Sequence, residues 1–329
     1  MPDTMIVAEI GSVHDGSFGN AVKLIEAAAA AGADAAKFQT HIAAAETLRN
    51  APMPSYFKGE PRFEYFERTG FSLQQWRELK SACDDNKVVF LSSPFSLEAV
   101  NLLEDVGVGT YKIPSGEVSN IPLLERVRQT GKPVLLSSGM SDWSELDAAM
   151  AALKGAPVTI LQCTSAYPCK PEEVGLNVIG EMAVRYDVPV GFSDHTMGYA
   201  ASFAAAAMGA TVIEKHFTYS RLMYGSDAKH SMEPDEFRVF SQGLRDIWKM
   251  RSHPVDKADV SAFAEMKRIF QKSVVLQRDM QAGVKLSLAD LAFKKPGDGI
   301  PAARYGEVVG RTLRRGLAAD HRLTWEDLA

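Results

Sequence analysis

Two histidines stand at the ends of two short apolar runs: PVGFSDH closes on His195, and TVIEKHF carries His216 twenty-one residues later. Between them, residues 199–208 form an alanine-rich span long enough for one buried helix. A strand, helix, strand unit of this kind lays its two strands parallel, about 4.8 Å apart if they are neighbours. Both imidazoles would then sit at adjacent strand ends, near enough to hold one metal ion between them. Two imidazoles with few acids fit an octahedral Mn²⁺ or Mg²⁺ that fills its shell with water and substrate oxygens, rather than a closed zinc site. An open position on such an ion makes it a Lewis acid for a carbonyl.

The ends of the other apolar runs carry polar residues too: Glu9, Lys37 and Gln39, Ser92 and Ser93, Lys112, Ser115 and Glu117, Ser137 and Ser138. Thr164, Ser165 and Tyr167, then Ser193 and Asp194, then Glu214 and Lys215, continue the series. Lysines supply positive charge and hydroxyls supply neutral donors, which together make a cradle for a phosphate and a carboxylate on one small anion. Each type has a plainer reading. Lys37 and Lys112 singly read as well as structural ion pairs, with Glu9 as a partner, and the serines as turn formers or helix caps. His195 alone reads as a helix cap, Tyr167 before Pro168 as packing, and Cys163 as a small core hydrophobe. Two histidines on successive strand ends weigh towards the metal.

What positions these residues is a repeating rhythm. Candidate strands at 5–11, 35–40, 88–94, 110–116, 133–139, 158–164, 189–195 and 211–217 alternate with candidate helices at 20–31, 72–86, 96–105, 121–130, 142–154, 175–186, 199–208 and 234–249. The strands are continuously apolar, as in a parallel sheet covered on both faces. An open sheet lacks its usual G-x-G-x-x-G turn after the first strand, and eight units in about 250 residues favour a closed (β/α)₈ TIM barrel. Residues 41–70, with Pro52, Pro54, Gly59 and Pro61, read as a long irregular loop of functional type. Three domains of sequence follow: 1–250 barrel, 251–269 linker, and 270–329 a small β-rich module. The last has β-like pieces in KSVVLQRD, LAFKKPG and EVVGRTL, and a core so small that docking onto another surface is expected.

Composition narrows the class. The 329 residues are 46% hydrophobic with a net charge of −5, and no basic face or run suggests nucleic acid. The apolar span 197–213 holds two glycines and reads as a buried helix and strand rather than a membrane span, and the N-terminus lacks the marks of a signal peptide. Cys83, Cys163 and Cys169 have no metal-ligand spacing, a sparse odd set that fits a reducing cytoplasm.

AEIGSVHDGS, GADAAKFQT, FLSSPFS, YKIPSGE, LLSSGM, LQCTSAYP, GFSDHTMG, VIEKHF and GSDAKHSMEP resemble, in order, the motifs of the sialic acid synthase family, which includes spore coat polysaccharide synthase E-like, legionaminate and pseudaminate synthases. KSVVLQRDMQAG through KKPGDGI to VVGRTLRRG resembles that family's antifreeze-like (SAF) domain. The resemblance implies a synthase that condenses phosphoenolpyruvate with an N-acylated amino sugar, of the N-acetylmannosamine or diacetamido-trideoxyhexose type, to a nine-carbon 2-keto-3-deoxy acid and phosphate. It further implies His195 and His216 as metal ligands, and Lys37, Ser93, Lys112, Ser115, Ser137, Ser165 and Ser193 as phosphoenolpyruvate contacts. Glu9, Gln39, Glu117, Tyr167 and Asp227 would address the sugar or the reacting centre, with Glu117 first and Glu9 second for acid/base work. The family's SAF domain covers the barrel mouth of a partner subunit, so a domain-exchanged homodimer is implied, with Phe270 and Lys295 reaching the partner's sugar.

Some positions depart from the family pattern. Val13-His14-Asp15-Gly16 replaces N-H-N-G, Ser93 replaces the threonine of S-T-P-F, and Lys295 replaces an arginine whose planar fork it cannot reproduce. Two other functions are compatible with the same residues: a Schiff-base aldolase using Lys112 or Lys215, and a non-catalytic sugar-binding relative.

Overall fold

The computed structural model describes residues 4–52 and 60–329. They divide into two compact units, Met1–His253 and Pro254–Ala329. In the first, eight parallel strands close into a barrel in sequence order, β1 (Met5–Gly11), β2 (Ala35–Thr40), β3 (Val89–Pro94), β4 (Tyr111–Ile113), β5 (Val134–Ser137), β6 (Val158–Cys163), β7 (Val190–Asp194) and β8 (Val212–His216). The expected TIM barrel is what forms.

Strand side chains alternate, so each strand sends every second residue to the barrel interior and the rest to the helices. Met5, Val7, Ala35, Leu91, Leu135, Leu161 and Val212 form one interior apolar cluster. Outward residues such as Ile6, Ala8, Phe38, Tyr111, Ile160 and Ile213 join the larger core with the helices. Those helices are α1 (Phe18–Ala30), α2 (Ala43–Glu46), α3 (Arg62–Thr69), α4 (Leu73–Asp85), α5 (Leu97–Val106), α6 (Ile121–Gln129), α7 (Trp143–Ala152), α8 (Leu176–Tyr186), α9 (Ala200–Met208) and α10 (Pro234–Ser252). Their starts follow local chemistry: the side chains of Ser17, Ser72, Ser96 and Asp142 accept the exposed first-turn N–H groups of α1, α4, α5 and α7.

The stretch 41–70 differs from the expected irregular loop. α3 occupies its last third, beginning directly after Pro61, whose fixed φ suits a helix start, and buries Phe63, Tyr65 and Thr69. Pro54 and Gly59 lie outside the described residues. β4 is shorter than expected, because Pro114 has no N–H to give the ladder, and Ser115–Glu117 turn as a 3₁₀ helix.

In the second unit, β9 (Ser273–Leu276) and β10 (Leu291–Lys294) pair antiparallel over a core that includes Val274, Leu276, Leu286, Val308 and Leu323. A helix, α11 (Ala264–Phe270), lies within the sequence read as linker. EVVGRTL is not a strand: its start is a helical turn, α12 (Tyr305–Val308), which buries Val308, and its end makes single bridges at Thr312 and Leu313. Among the described residues no helix is long and apolar enough to cross a membrane.

Candidate active site

At the carboxyl end of the barrel the inward-facing positions change from apolar to polar. Directly beyond the interior apolar cluster, β1 supplies Glu9, β2 Lys37, β4 Lys112 and β8 Glu214, all buried. Lys112 Nζ lies 2.7 and 2.9 Å from the two Glu214 oxygens. Lys37 Nζ bridges the two acids, 3.1 Å from Glu214 Oε2 and 3.2 Å from Glu9 Oε2. These four groups do not share charge evenly. Burial disfavours the Glu214 carboxylate, yet Lys112 and Lys37 together hold it well below the usual range. Burial raises Glu9 to about 7, with Lys37 opposing and Glu214 adding to the rise. Burial also pulls Lys112 down against the attraction of Glu214, whereas for Lys37 the two carboxylates outweigh burial and push it up. The floor therefore pairs one firm carboxylate, Glu214, with a firmly charged Lys37, while burial pushes Lys112 and Glu9 towards their neutral forms.

Above this floor opens a cavity of about 370 Å³. Ser93, Ser115, Ser137, Ser165 and Ser193 line it, from five different strands or strand ends. Ser93 Oγ and Ser137 Oγ are buried with no hydrogen-bond partner, while Ser193 Oγ donates to Glu214 Oε1 at 2.9 Å. Buried hydroxyls without partners are rare in native proteins and point to a ligand that accepts from them. Gly139 permits the crowding: a Cβ there would lie 2.5 Å from Ser165 Oγ and 2.7 Å from Ser115 Oγ, and its own N–H donates to Ser115 Oγ at 3.0 Å.

His195 and His216 face one another across the β7 and β8 ends, ring centroids 5.6 Å apart, and both line the cavity. His195 Nδ1 lies 2.8 Å from the Thr164 carbonyl oxygen, which must receive a proton from it, so Nε2 is the nitrogen left for a ligand; burial lowers this imidazole, but Cys163 and that carbonyl outweigh it and raise it. His216 Nδ1 is buried without a partner, and burial lowers this imidazole to about 4, so it is neutral at physiological pH. His195 Nε2 and the neutral His216 ring are the groups that a divalent cation would take. Among the described residues no cluster of three His, Cys, Asp or Glu side chains is arranged to hold one, so water or substrate oxygens would complete the shell.

Gln39, Tyr167 and Asp227 also line the cavity, as expected. Glu117 does not: it lies one residue past the lining residue Gly116, where Oε2 accepts from Asn120 Nδ2 at 2.8 Å. Burial raises it as well, but it stands apart from the charged floor. Phe270 and Lys295 belong to the second unit, where Lys295 Nζ sits 5.0 Å from the Phe270 ring centroid. Lys215 faces outward, buried against Asp194 at 2.9 Å and the Thr196 carbonyl at 2.6 Å, and is unavailable as a Schiff-base nucleophile.

Four participants were missed or undervalued in the sequence. Glu214 is the anchor of both lysines, and the period of two that puts it on the face of His216 was a usable signal. Cys163, read as a core hydrophobe, lines the cavity with Sγ 3.7 Å from His195 Nδ1. Gly11 has φ +54° at a bulge in β1, and a Cβ there would meet Asp227 Oδ2 at 3.0 Å and Gln39 Nε2 at 3.4 Å. His41 lines the mouth between two phenyl rings, with no motif to announce it.

Fold and site together define a TIM-barrel enzyme whose strand ends carry buried lysines, carboxyls and serine hydroxyls beside two histidines. The chain belongs to the NeuB family, which it matches over residues 24–256, and residues 271–329 match the SAF domain. It is 36% identical over 330 residues to an N,N'-diacetyllegionaminic acid synthase of Campylobacter jejuni, covering 97% of this chain and 98% of that one. A human N-acetylneuraminate-9-phosphate synthase is 33% identical over 317 residues, 94% and 88% of the two chains. Among solved structures, an N-acetylneuraminic acid synthetase from Leptospira borgpetersenii in complex with citrate superposes with a TM-score of 0.71 at 31% identity, over 80% of this chain and 90% of that one.

Proposed function

We propose that this protein condenses phosphoenolpyruvate with the open-chain form of an N-acylated amino sugar, releasing phosphate and a nine-carbon 2-keto-3-deoxy acid. The observation that carries the reading is the pair of buried lysines on Glu214 beneath buried, unpartnered Ser93 and Ser137 hydroxyls. A small dianion or trianion satisfies all of them. Lys37 and Lys112 receive its charge, and Ser93, Ser115, Ser137, Ser165 and Ser193 fix its orientation.

C3 of phosphoenolpyruvate attacks the aldehyde carbon of the acceptor. Glu9, half protonated near pH 7, gives its proton to the aldehyde oxygen and becomes the base that takes a proton from the water adding to C2. The C2–O bond then breaks, and the two lysines neutralise the departing phosphate. A Mn²⁺ or Mg²⁺ ion held by His195 and His216 would supply Lewis acidity to the acceptor carbonyl. Glu9 thus takes precedence over Glu117 for the acid/base role, on position as well as charge.

Around the mouth, Tyr65, Phe66, Phe95, Met140 and Tyr167 give the acceptor end an apolar lining. Such walls suit acetamido methyls and deoxygenated carbons, and Arg62, which lines the same cavity beside Phe66, can donate to an acyl oxygen, so a diacetamido-trideoxyhexose is the favoured acceptor. The relative named for diacetyllegionaminic acid agrees with this. Exposed Met266, Ile269 and Phe270 on α11, with Lys295 over the Phe270 ring, support a homodimer in which this unit serves a partner subunit. A reaction fed by phosphoenolpyruvate belongs in the cytoplasm, where the three free cysteines stay reduced.

The test is a panel of N-acetylmannosamine, its 6-phosphate and diacetamido-trideoxyhexoses, each incubated with phosphoenolpyruvate and Mn²⁺ while phosphate is measured. Release with the diacetamido sugar above the others is expected. No release with any of them would overturn the reading.

A further inference from the structure

One continuous line of four side chains runs from the mouth of the barrel to its floor. Glu46 Oε1 lies 2.7 Å from His41 Nδ1, His41 Nε2 lies 3.1 Å from Gln39 Oε1, and Gln39 Nε2 donates to Glu9 Oε1 at 2.8 Å. The His41 ring is held on both faces, stacked 3.6 Å from the Phe66 centroid at 11° and 4.1 Å from that of Phe95 at 19°. Its edge is pinned as well, because the other Glu46 oxygen accepts the backbone N–H of Ile42 at 3.3 Å. The His41 and Glu46 side chains are only 5% and 4% exposed, so neither is a free surface group.

The chemistry of the line leaves Gln39 little choice. A primary amide has one end that donates and one that accepts. The Glu9 carboxylate takes the donating end, which turns Oε1 towards the mouth, and an acceptor there needs an N–H opposite it. His41 provides it from Nε2, and one further proton is shared in the 2.7 Å hydrogen bond between His41 Nδ1 and Glu46 Oε1. Reversing the amide would set Gln39 Oε1 against a carboxylate oxygen at hydrogen-bond distance and strand its NH₂ group against the ring.

We propose that His41 is a positioning residue for the condensation: clamped between Phe66 and Phe95 and pinned by Glu46, it fixes which end of the Gln39 amide faces Glu9. With Oε1 of Glu9 occupied by Gln39, Oε2, which lies 3.2 Å from Lys37 Nζ and has no hydrogen-bond partner, is the oxygen left for substrate. The inference rests on the role given to Glu9 above.

His41→Phe keeps a flat ring in the slot and removes both ring nitrogens, and with them the hydrogen bonds to Gln39 and Glu46. Loss of one hydrogen bond that orients a reacting group corresponds to a fall in kcat of about tenfold, with KM for phosphoenolpyruvate unchanged because the anion cradle is untouched. The same substitution made in a Gln39→Ala background should cost nothing more, since His41 acts only through Gln39. His41→Gly opens a slot between two phenyl rings, and added imidazole should restore kcat there but not in His41→Phe. A wild-type kcat in His41→Phe, or losses that add in full in the double variant, would overturn the proposal. So that it does not depend on turnover, the Gln39 side-chain amide signal, identified by its loss in Gln39→Ala, is followed by ¹H–¹⁵N NMR without substrate. It should move in His41→Phe, and an unmoved signal contradicts the proposal even if the condensation itself is never observed. If His41→Phe fails to fold because Glu46 is left buried and unpaired, His41→Phe/Glu46→Gln supplies the same readings.

Discussion

Glu9→Gln removes one titrating proton from a fully buried charge cluster with almost no change of shape, so its effect on stability can be worked from the structure. Burial pushes the carboxyl up to about 7 in the folded protein, against 4.5 for a free glutamate side chain. Between those values the native state holds a proton that the unfolded chain has released. The contribution of Glu9 to stability is therefore complete below about pH 4.5 and is lost as pH rises through about 7. A displacement of about 2.5 units, at about 1.4 kcal/mol per unit, gives roughly 3 kcal/mol. Urea unfolding of the ligand-free protein and of the variant from pH 5 to pH 8.5 isolates the contribution of Glu9 and its coupling to Lys37, Lys112 and Glu214, because groups outside this cluster cancel in the difference. Wild type should weaken relative to Glu9→Gln by about 3 kcal/mol over that range. A difference that stays flat with pH would refute the reasoning. A variant that weakens relative to wild type as pH rises would show instead that Glu9 is a settled carboxylate partner of Lys37.

Glu214→Gln leaves two buried ammonium groups without their shared carboxylate, which should destabilise the free protein by about 3–5 kcal/mol. Added phosphoenolpyruvate or inorganic phosphate supplies the missing charge, so thermal denaturation should show a larger rise in Tm with anion for this variant than for wild type. Chelation with EDTA should abolish phosphate release, and Mn²⁺ or Mg²⁺ should restore it in wild type but not in His216→Gln, which loses an imidazole lone pair from the ion site. Full activity in EDTA would remove the ion from the reaction.

The barrel was legible because its strands are buried on both faces and its helices are marked by alanine-rich or capped segments, signals that arise locally in the chain. Lys37, Lys112 and the two histidines were legible for a related reason: charged residues ending apolar strands stand out against their neighbours. Resemblance to a family, rather than spacing, gave most of the serines their role. Glu214 was within reach of the alternation rule, which separates it and His216 from outward-facing Asp194 and Lys215. The setting of Glu117 was not legible, because Pro114 ends β4 early and places Glu117 on a 3₁₀ turn one residue past the lining residue Gly116. The helix Arg62–Thr69 was hidden by the prolines and glycine before it, and with it went Phe66, half of the slot that holds His41. A network such as Glu46, His41, Gln39 and Glu9 has no sequence signature, since the link that ties it to the floor, Gln39 to Glu9, forms only when β1 and β2 pair.

The central claim is that a carbon–carbon bond is made to phosphoenolpyruvate at C3 while the bond from C2 to the phosphate oxygen is broken. Phosphoenolpyruvate labelled with ¹⁸O in that bridging oxygen, incubated with the accepted amino sugar and Mn²⁺, tests it by mass spectrometry of both products. The label should leave entirely in inorganic phosphate, with one acceptor consumed per phosphate released. Label retained in the keto acid, or phosphate released without consumption of the sugar, would contradict it.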